Sequence, residues 1–266
     1  MKESKNLIKI LGEAIDSGKS AAFAIVISVD GSTPREAGAK MLVFENGSIE
    51  GTVGGGTLEA LTIKQALVCL KKGQGGKFVF DLKPKGNTGM ICMGRAEIFI
   101  DVYKNPLKIL VLGAGHVGMK IAEASDLAGY PCAVADDRPE FANKERFPNA
   151  SAIIVEKPHK AVASAGVDEN TYVVIVTRGH ALDRECLEEV MRTKAPYIGM
   201  IGSADKVREI FSLAGKKKLY PLKDKRVYSP IGLNLGGKTP GEIAVSVLAE
   251  IIKLHYKRDG AHMRVR

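Results

Sequence analysis

Tryptophan is absent from this 266-residue chain, and Phe and Tyr alone make up its 6% of aromatic residues. No aromatic residues interleave with the basic ones, so the stacking platforms of a nucleic-acid groove are missing and no nucleic-acid partner is expected. Cysteine is sparse. Cys69, Cys92, Cys132 and Cys186 form no CxxC pair, which argues against a zinc ribbon and against a disulfide scaffold. No apolar run reaches about 18 residues, the length a membrane-spanning helix needs. The opening "MKESKNLIKILGEAIDSGKS" lacks an uninterrupted apolar core, because Glu3, Lys9, Glu13 and Asp16 break it. It reads as an amphipathic helix and not a signal peptide, and a cytoplasmic location is expected. Internal repeats and low-complexity segments are also absent.

Acidic residues are scarce at one end. From Lys216 onward 12 Lys or Arg stand against 4 Asp or Glu, so nearly all of the net charge of +9 lies there. Such a stretch is either solvated surface with a basic tail or an attraction for an acidic partner or ligand.

What is present divides in two near residue 105. Residues 1–105 mix helix and strand signals: a helix around 4–17, the strand "AAFAIVISVD", the loop "GSTPREAGAK", the strand "MLVFE" and an Asn46-Gly47 turn suited to positive φ. A helix "TLEALTIKQALVCLKKG" with a glycine stop follows, then the strands "KFVFDL" and "AEIFIDVY". This half reads as a small α+β domain. Residues 106–266 alternate strand and helix. "LKILVL", "SAIIVE", "TYVVIVT" and "YIGMIG" are continuous apolar strands. "HVGMKIAEASDLAG", "DRECLEEVMRTK" and "DKVREIFSLAG" are helical between them. The alternation predicts a Rossmann-like doubly wound parallel sheet. A last helix begins at "TPGE", with Thr239 as N-cap, Pro240 at N1 and Glu242 at N3. Its apolar face is Ile243, Ala244, Val247, Leu248, Ile251 and Ile252.

Two glycine-rich stretches raise the question of function. In "GTVGGGTLEA" (51–60), Gly54, Gly55 and Gly56 stand together just before a helix. Three bare residues cost backbone entropy. They either make a strand-to-helix turn or expose amides as an anion nest that the helix dipole reinforces. Arg35 and Lys40, around the loop "GSTPREAGAK", add a planar fork of donors and a point charge for phosphate or carboxylate. Glu59 fits an N3 or first-turn position. In "VLGAGHVG", Gly113, Gly115 and Gly118 make a GxGxxG pattern after a strand, and "PCAVADD" ends a second strand at Asp136. That context suits NAD(P) or another nucleotide, with Asp136 on a ribose hydroxyl; the alternative is that the glycines serve only the βαβ packing and Asp136 is a surface acid. "TRGHALD" places Arg178, His180 and Asp183 past a strand's C-terminal end, and Lys238 stands beside the last helix's N-terminus as another anion contact. Cys92, in "GNTGMICMGRAEIF", is either a buried small hydrophobe or a thiol that Arg95 activates. The other three cysteines lie on apolar faces and read as core.

Together, "GSTPREAGAKM", "GTVGGGTLE", "GMICMGRAEIFID", "VLGAGHVG", "VADDRPEF", "TRGHALD", "YIGMIGS" and "SPIGLNLGGKTPGEIAVSVLAEI" resemble the xanthine dehydrogenase accessory factor family (XdhC/CoxI type) in order and spacing over nearly the whole chain. The resemblance implies a cofactor chaperone, not a finished enzyme. It would bind molybdenum cofactor, assist its sulfuration with a cysteine desulfurase and deliver it to a molybdenum hydroxylase subunit. It would do so as a homodimer. The resemblance also implies that Cys92 contacts molybdenum or its sulfur, a soft ligand for a soft site. The chain departs from the family pattern at Met93, where glycine usually follows that cysteine. The alternative from the residues alone is an NAD(P)-dependent oxidoreductase.

Overall fold

The computed structural model describes residues 2–31, 35–82, 94–104 and 107–264. Two compact units divide the chain, Met1–Asn105 and Pro106–Arg266.

The first unit holds α1 (Lys2–Asp16), β1 (Ala21–Asp30), β2 (Lys40–Phe44), β3 (Ile49–Thr52), α2 (Gly56–Lys72), β4 (Gly76–Asp81) and β5 (Arg95–Tyr103). Its antiparallel sheet has the order β3-β2-β1-β5-β4. Alternation along β1 sorts the two faces. Ala22, Ala24 and Val26 join Leu58, Ala66, Cys69 and Leu70 of α2. Ala21 and Phe23 join Leu7 and Leu11 of α1. The β2–β3 loop differs in detail from expectation. Gly47 alone takes positive φ, at 82°. The Asn46 side chain instead accepts from the Ser48 amide at 3.0 Å and the Ser48 hydroxyl at 2.7 Å. The loop runs from residue 45 to residue 48, and a four-residue connection does not require two left-handed residues. The glycine stop of α2 is as read: Gly73 is left-handed and its amide caps the Cys69 and Leu70 carbonyls.

The second unit holds β6 (Lys108–Leu112), α3 (His116–Leu127), β7 (Cys132–Asp136), β8 (Ala152–Val155), α4 (Pro158–Ser164), β9 (Thr171–Ile175), α5 (His180–Val190), β10 (Tyr197–Met200), α6 (Ala204–Lys216), β11 (Val227–Tyr228) and α7 (Pro240–His255). All its strands run parallel, in the order β11-β10-β9-β6-β7-β8. The chain winds outward through β7 and β8 and then returns to β9 on the other side of β6. The switch point therefore lies between β6 and β9, where such folds open a crevice at the strands' C-terminal ends. Ile121 of α3 and Ala244, Val247, Leu248 and Ile251 of α7 cover one face. Residues of α4, α5 and α6, among them Cys186, Leu187, Val207 and Ile210, cover the other. The capping box of Thr239 and Glu242 is present at the start of α7. The apolar stripe of that helix is narrower than its sequence suggests, because Ile252 is exposed.

Candidate functional site

In the first unit the glycine run has a conformation that L side chains rarely adopt. Gly54, Gly55 and Gly56 take φ of 132°, 74° and 58°. Space is not the constraint at the last two, where an added Cβ would meet nothing within 4 Å. Gly55 is the N-cap of α2 and supplies no side-chain cap to the helix. The approach is braced from behind. The Gly54 amide donates to Thr52 Oγ1 at 3.0 Å, and the Thr52 hydroxyl donates to the Glu59 carboxylate. Glu59 is thus a first-turn acid tied to the preceding strand. Lys40 pairs in register with Thr52, and its ammonium donates to the Gly38 carbonyl at 2.7 Å. Arg35 is exposed. Cys92 and Met93 lie outside the described residues.

In the second unit the three fingerprint glycines differ in what they do. A Cβ at Gly113, φ 118°, would meet the Val176 carbonyl oxygen at 2.4 Å, and one at Gly118 would meet the Gly113 oxygen at 2.0 Å. These two let β6, β9 and α3 pack closely. Gly115 caps α3 with no side-chain bond, and a Cβ there would meet nothing within 4 Å. It is the glycine at which an anion has room to approach.

Asp136 is turned inward and 3% exposed. It accepts from the Ala114 amide at 2.9 Å and the Arg138 amide at 3.1 Å. The Arg138 guanidinium grips it at 2.8 and 3.0 Å. Burial pushes its carboxyl up, but the bond from Arg138 and those two amides outweigh it and hold the carboxyl below the ordinary range. Arg138 lies over the Phe141 ring at 3.7 Å, and Arg146 donates to the Ala114 carbonyl at 3.3 Å. Both polar groups of Ala114 are therefore engaged by the protein itself.

Arg178, in the β9–α5 loop, donates to Asp137 at 2.9 Å. Because β6 lies between β7 and β9, this pair passes over the C-terminal end of β6, where the fingerprint loop begins. His180 begins α5, exposed, with Nδ1 3.9 Å from Glu209. Asp183 is fully buried. It accepts from the Thr177 amide and hydroxyl at 3.1 and 2.6 Å and from Lys206 at 2.5 Å. Lys238 lies elsewhere on the unit, on the wall of a cavity of about 600 Å³ beside β10 and α7. The structure thus gathers Gly113, Gly115, Gly118, Asp136 and Arg178 at one sheet edge, while Gly54, Gly55, Gly56, Arg35 and Lys40 belong to the other unit.

Sequence reasoning missed Arg138, Arg146 and Lys206. Arg138 follows directly on "ADD", which was a usable signal; the other two meet their partners only through the fold. Among the described residues no group of three or more His, Cys, Asp and Glu could hold a metal. The donors present suit an anion more than a metal.

The chain matches the family model described as "XdhC Rossmann domain" over residues 109–251 and the one described as "XdhC and CoxI family" over residues 14–81. It is 34% identical over 245 residues to the uncharacterised protein YqeB of Escherichia coli, a match covering 91% of this chain and 45% of that protein. It is 30% identical over 157 residues to a Bacillus subtilis protein named as a probable xanthine dehydrogenase component, covering 59% of this chain and 46% of that one. It is 22% identical to the molybdenum cofactor insertion chaperone PaoD of Escherichia coli, over 97% of this chain and 91% of PaoD. The chain therefore spans about half the length of the first two relatives.

Proposed function

Because the chain belongs to the XdhC family, we propose that it is an accessory factor that binds molybdenum cofactor, helps its sulfuration and passes it to a molybdenum hydroxylase. The partners are a cysteine desulfurase as sulfur source and the hydroxylase subunit that receives the cofactor. The chain acts as a homodimer in the cytoplasm. A relative named for molybdenum cofactor insertion and another named for a xanthine dehydrogenase support this reading.

One observation carries it: three successive left-handed glycines, two with open space beside them, lead into a helix that no side chain caps. Backbone arranged this way suits the phosphate of a pterin cofactor, with Lys40, paired in register with Thr52, and Arg35 as candidate cations. Cys92 would be the soft ligand to the metal. The second unit adds Gly113, Gly115, Gly118, Asp136, Arg178 and Lys238 as candidate contacts.

The test is anaerobic titration of the purified chain with molybdenum cofactor. Saturable binding is expected, weakened in Arg35→Ala and Lys40→Met, with Cys92→Ser failing to retain the metal. Absence of saturable binding by the wild-type chain overturns the proposal.

A second reading, an NAD(P)-dependent oxidoreductase, is favoured by the open approach at Gly115. It is opposed by the engagement of Asp136, whose oxygens already serve Ala114 and Arg138. Tight binding of NADH or NADPH with hydride transfer would promote it.

A further inference from the structure

The five-stranded sheet of the first unit ends at β4. With six residues, β4 is the longest edge strand among the described residues; β3 and β8 have four each and β11 two. An exposed edge invites a further strand, and proteins blunt such edges with brevity, a proline or a bulge. The strand "GKFVFD" has no proline, and its register with β5 runs unbroken from Gly76 opposite Ile100 to Asp81 opposite Arg95.

The free side of this edge belongs to three residues. Leu82 N donates to Gly94 O at 2.9 Å, one step beyond that register. Antiparallel ladders alternate, so Phe80, Phe78 and Gly76 also turn their backbone groups toward β5, while Lys77, Val79 and Asp81 turn theirs away. Among the described residues nothing donates to or accepts from the backbone of those three. Their side chains share one face of the sheet. There Val79, Phe99 of β5 and Ile27 at the bulge of β1 are 42, 41 and 43% exposed and make an apolar strip. Lys77 and Asp81 reach Glu97 and Arg95 only at 3.5 and 3.9 Å, with exposed side chains. Surface pairs of that length hold their partners weakly.

A second copy of β4 is complementary to this edge. A two-fold axis at Val79 sets Val79 against the second copy's Val79 and Lys77 against its Asp81, twice by symmetry. The three residues with unspent backbone groups then meet as hydrogen-bonded pairs. Phe78 meets the second copy's Phe80 as the closer, non-hydrogen-bonded pair. Neighbouring registers lose this match. Centring on Lys77 or Asp81 sets like charges face to face, and centring on Phe78 or Phe80 sets a charge against Val79. We propose that β4 is a homodimer interface, in which two copies pair antiparallel about Val79 and join their sheets edge to edge. The Lys77–Asp81 pairs fix the register, and the strip of Val79, Phe99 and Ile27 continues across the axis. The inference rests on the homodimer of the accessory reading and assigns it a surface; it uses none of the cofactor-contact residues.

Sedimentation velocity of the full chain over a concentration series tests it. Wild type is expected to dimerise reversibly. Lys77→Asp and Asp81→Lys each create two like-charge pairs across the axis and are each expected to weaken association about tenfold. An equimolar mixture of the two variants pairs every charge with its opposite and should recover the wild-type affinity, as should the double variant. That recovery separates pairing across the axis from any effect within one strand. A dimer whose affinity neither variant changes refutes this interface and leaves the homodimer reading standing. Weakening in both variants without recovery in the mixture refutes the register. A wild-type chain that stays monomeric up to about 0.5 mM overturns the interface and the homodimer together. Cofactor binding is read in the separate anaerobic titration, so a failed interface and a failed accessory role are distinguishable.

Discussion

The carboxylate of Asp136 accepts a hydrogen bond from the Ala114 amide at 2.9 Å, so the acid at the end of β7 braces the fingerprint loop from within. Its folded carboxyl titrates below the ordinary range, while the unfolded chain's titrates near about 3.9. Its stabilisation is therefore complete above the unfolded value and is lost as pH falls through the folded one. Asp136→Asn is expected to cost about 2 kcal/mol at pH 7 and to flatten the acid limb of the second unit's melting temperature against pH. An unchanged melting temperature at pH 7 would show that the carboxylate braces nothing.

The fingerprint glycines make a graded series. Gly118→Ala places a Cβ 2.0 Å from the Gly113 oxygen, and overpacking against backbone is expected to cost about 2 kcal/mol or more. Gly113→Ala adds strain at φ 118° to a contact of 2.4 Å and should be at least as damaging. Gly115→Ala meets open space at φ −70° and should change stability by less than about 0.5 kcal/mol. Urea unfolding of the three variants checks the order; equal losses would refute the division of roles.

How much of this was readable beforehand depends on how local the determinant is. Strands β6, β9 and β10 are apolar runs buried on both faces, and the start of α7 is written within Thr239 to Glu242, so both could be placed from sequence; β8 was placed by its apolar run as well, although its ends are exposed. Short elements with little periodicity escaped: β3 has four residues, β11 two and α4 seven. At Asn46-Gly47 composition marked the turn, but backbone geometry depended on the loop's length. The site was legible as glycine spacing and not as pairing. Lys206 reaches Asp183 across 23 positions and Tyr197 reaches Glu250 across 53; nothing local announces either.

The Asp183–Lys206 pair is nearly dry, with side chains 0% and 15% exposed. Lys206→Met leaves a buried carboxylate with only Thr177, and a loss of about 3 kcal/mol is expected. Adding Asp183→Asn should recover part of it, giving a favourable coupling in a double-mutant cycle. Additive losses would mean that the two side chains do not depend on each other.

Three thiols are expected to be inert. Burial pushes Cys132 up to about 12, partly offset by a hydrogen bond with Ser125. Burial, then the charges of Asp183 and Glu185, push Cys186 up as well. Cys69 is 2% exposed. Alkylation needs a thiolate with access. The Cys92→Ser chain, which retains only these three, should take up no iodoacetamide at pH 8 until denaturant is added, as read by intact mass. Rapid native labelling of Cys132 would reveal that β7 opens beside the fingerprint loop, which the buried Asp136 contacts are expected to prevent.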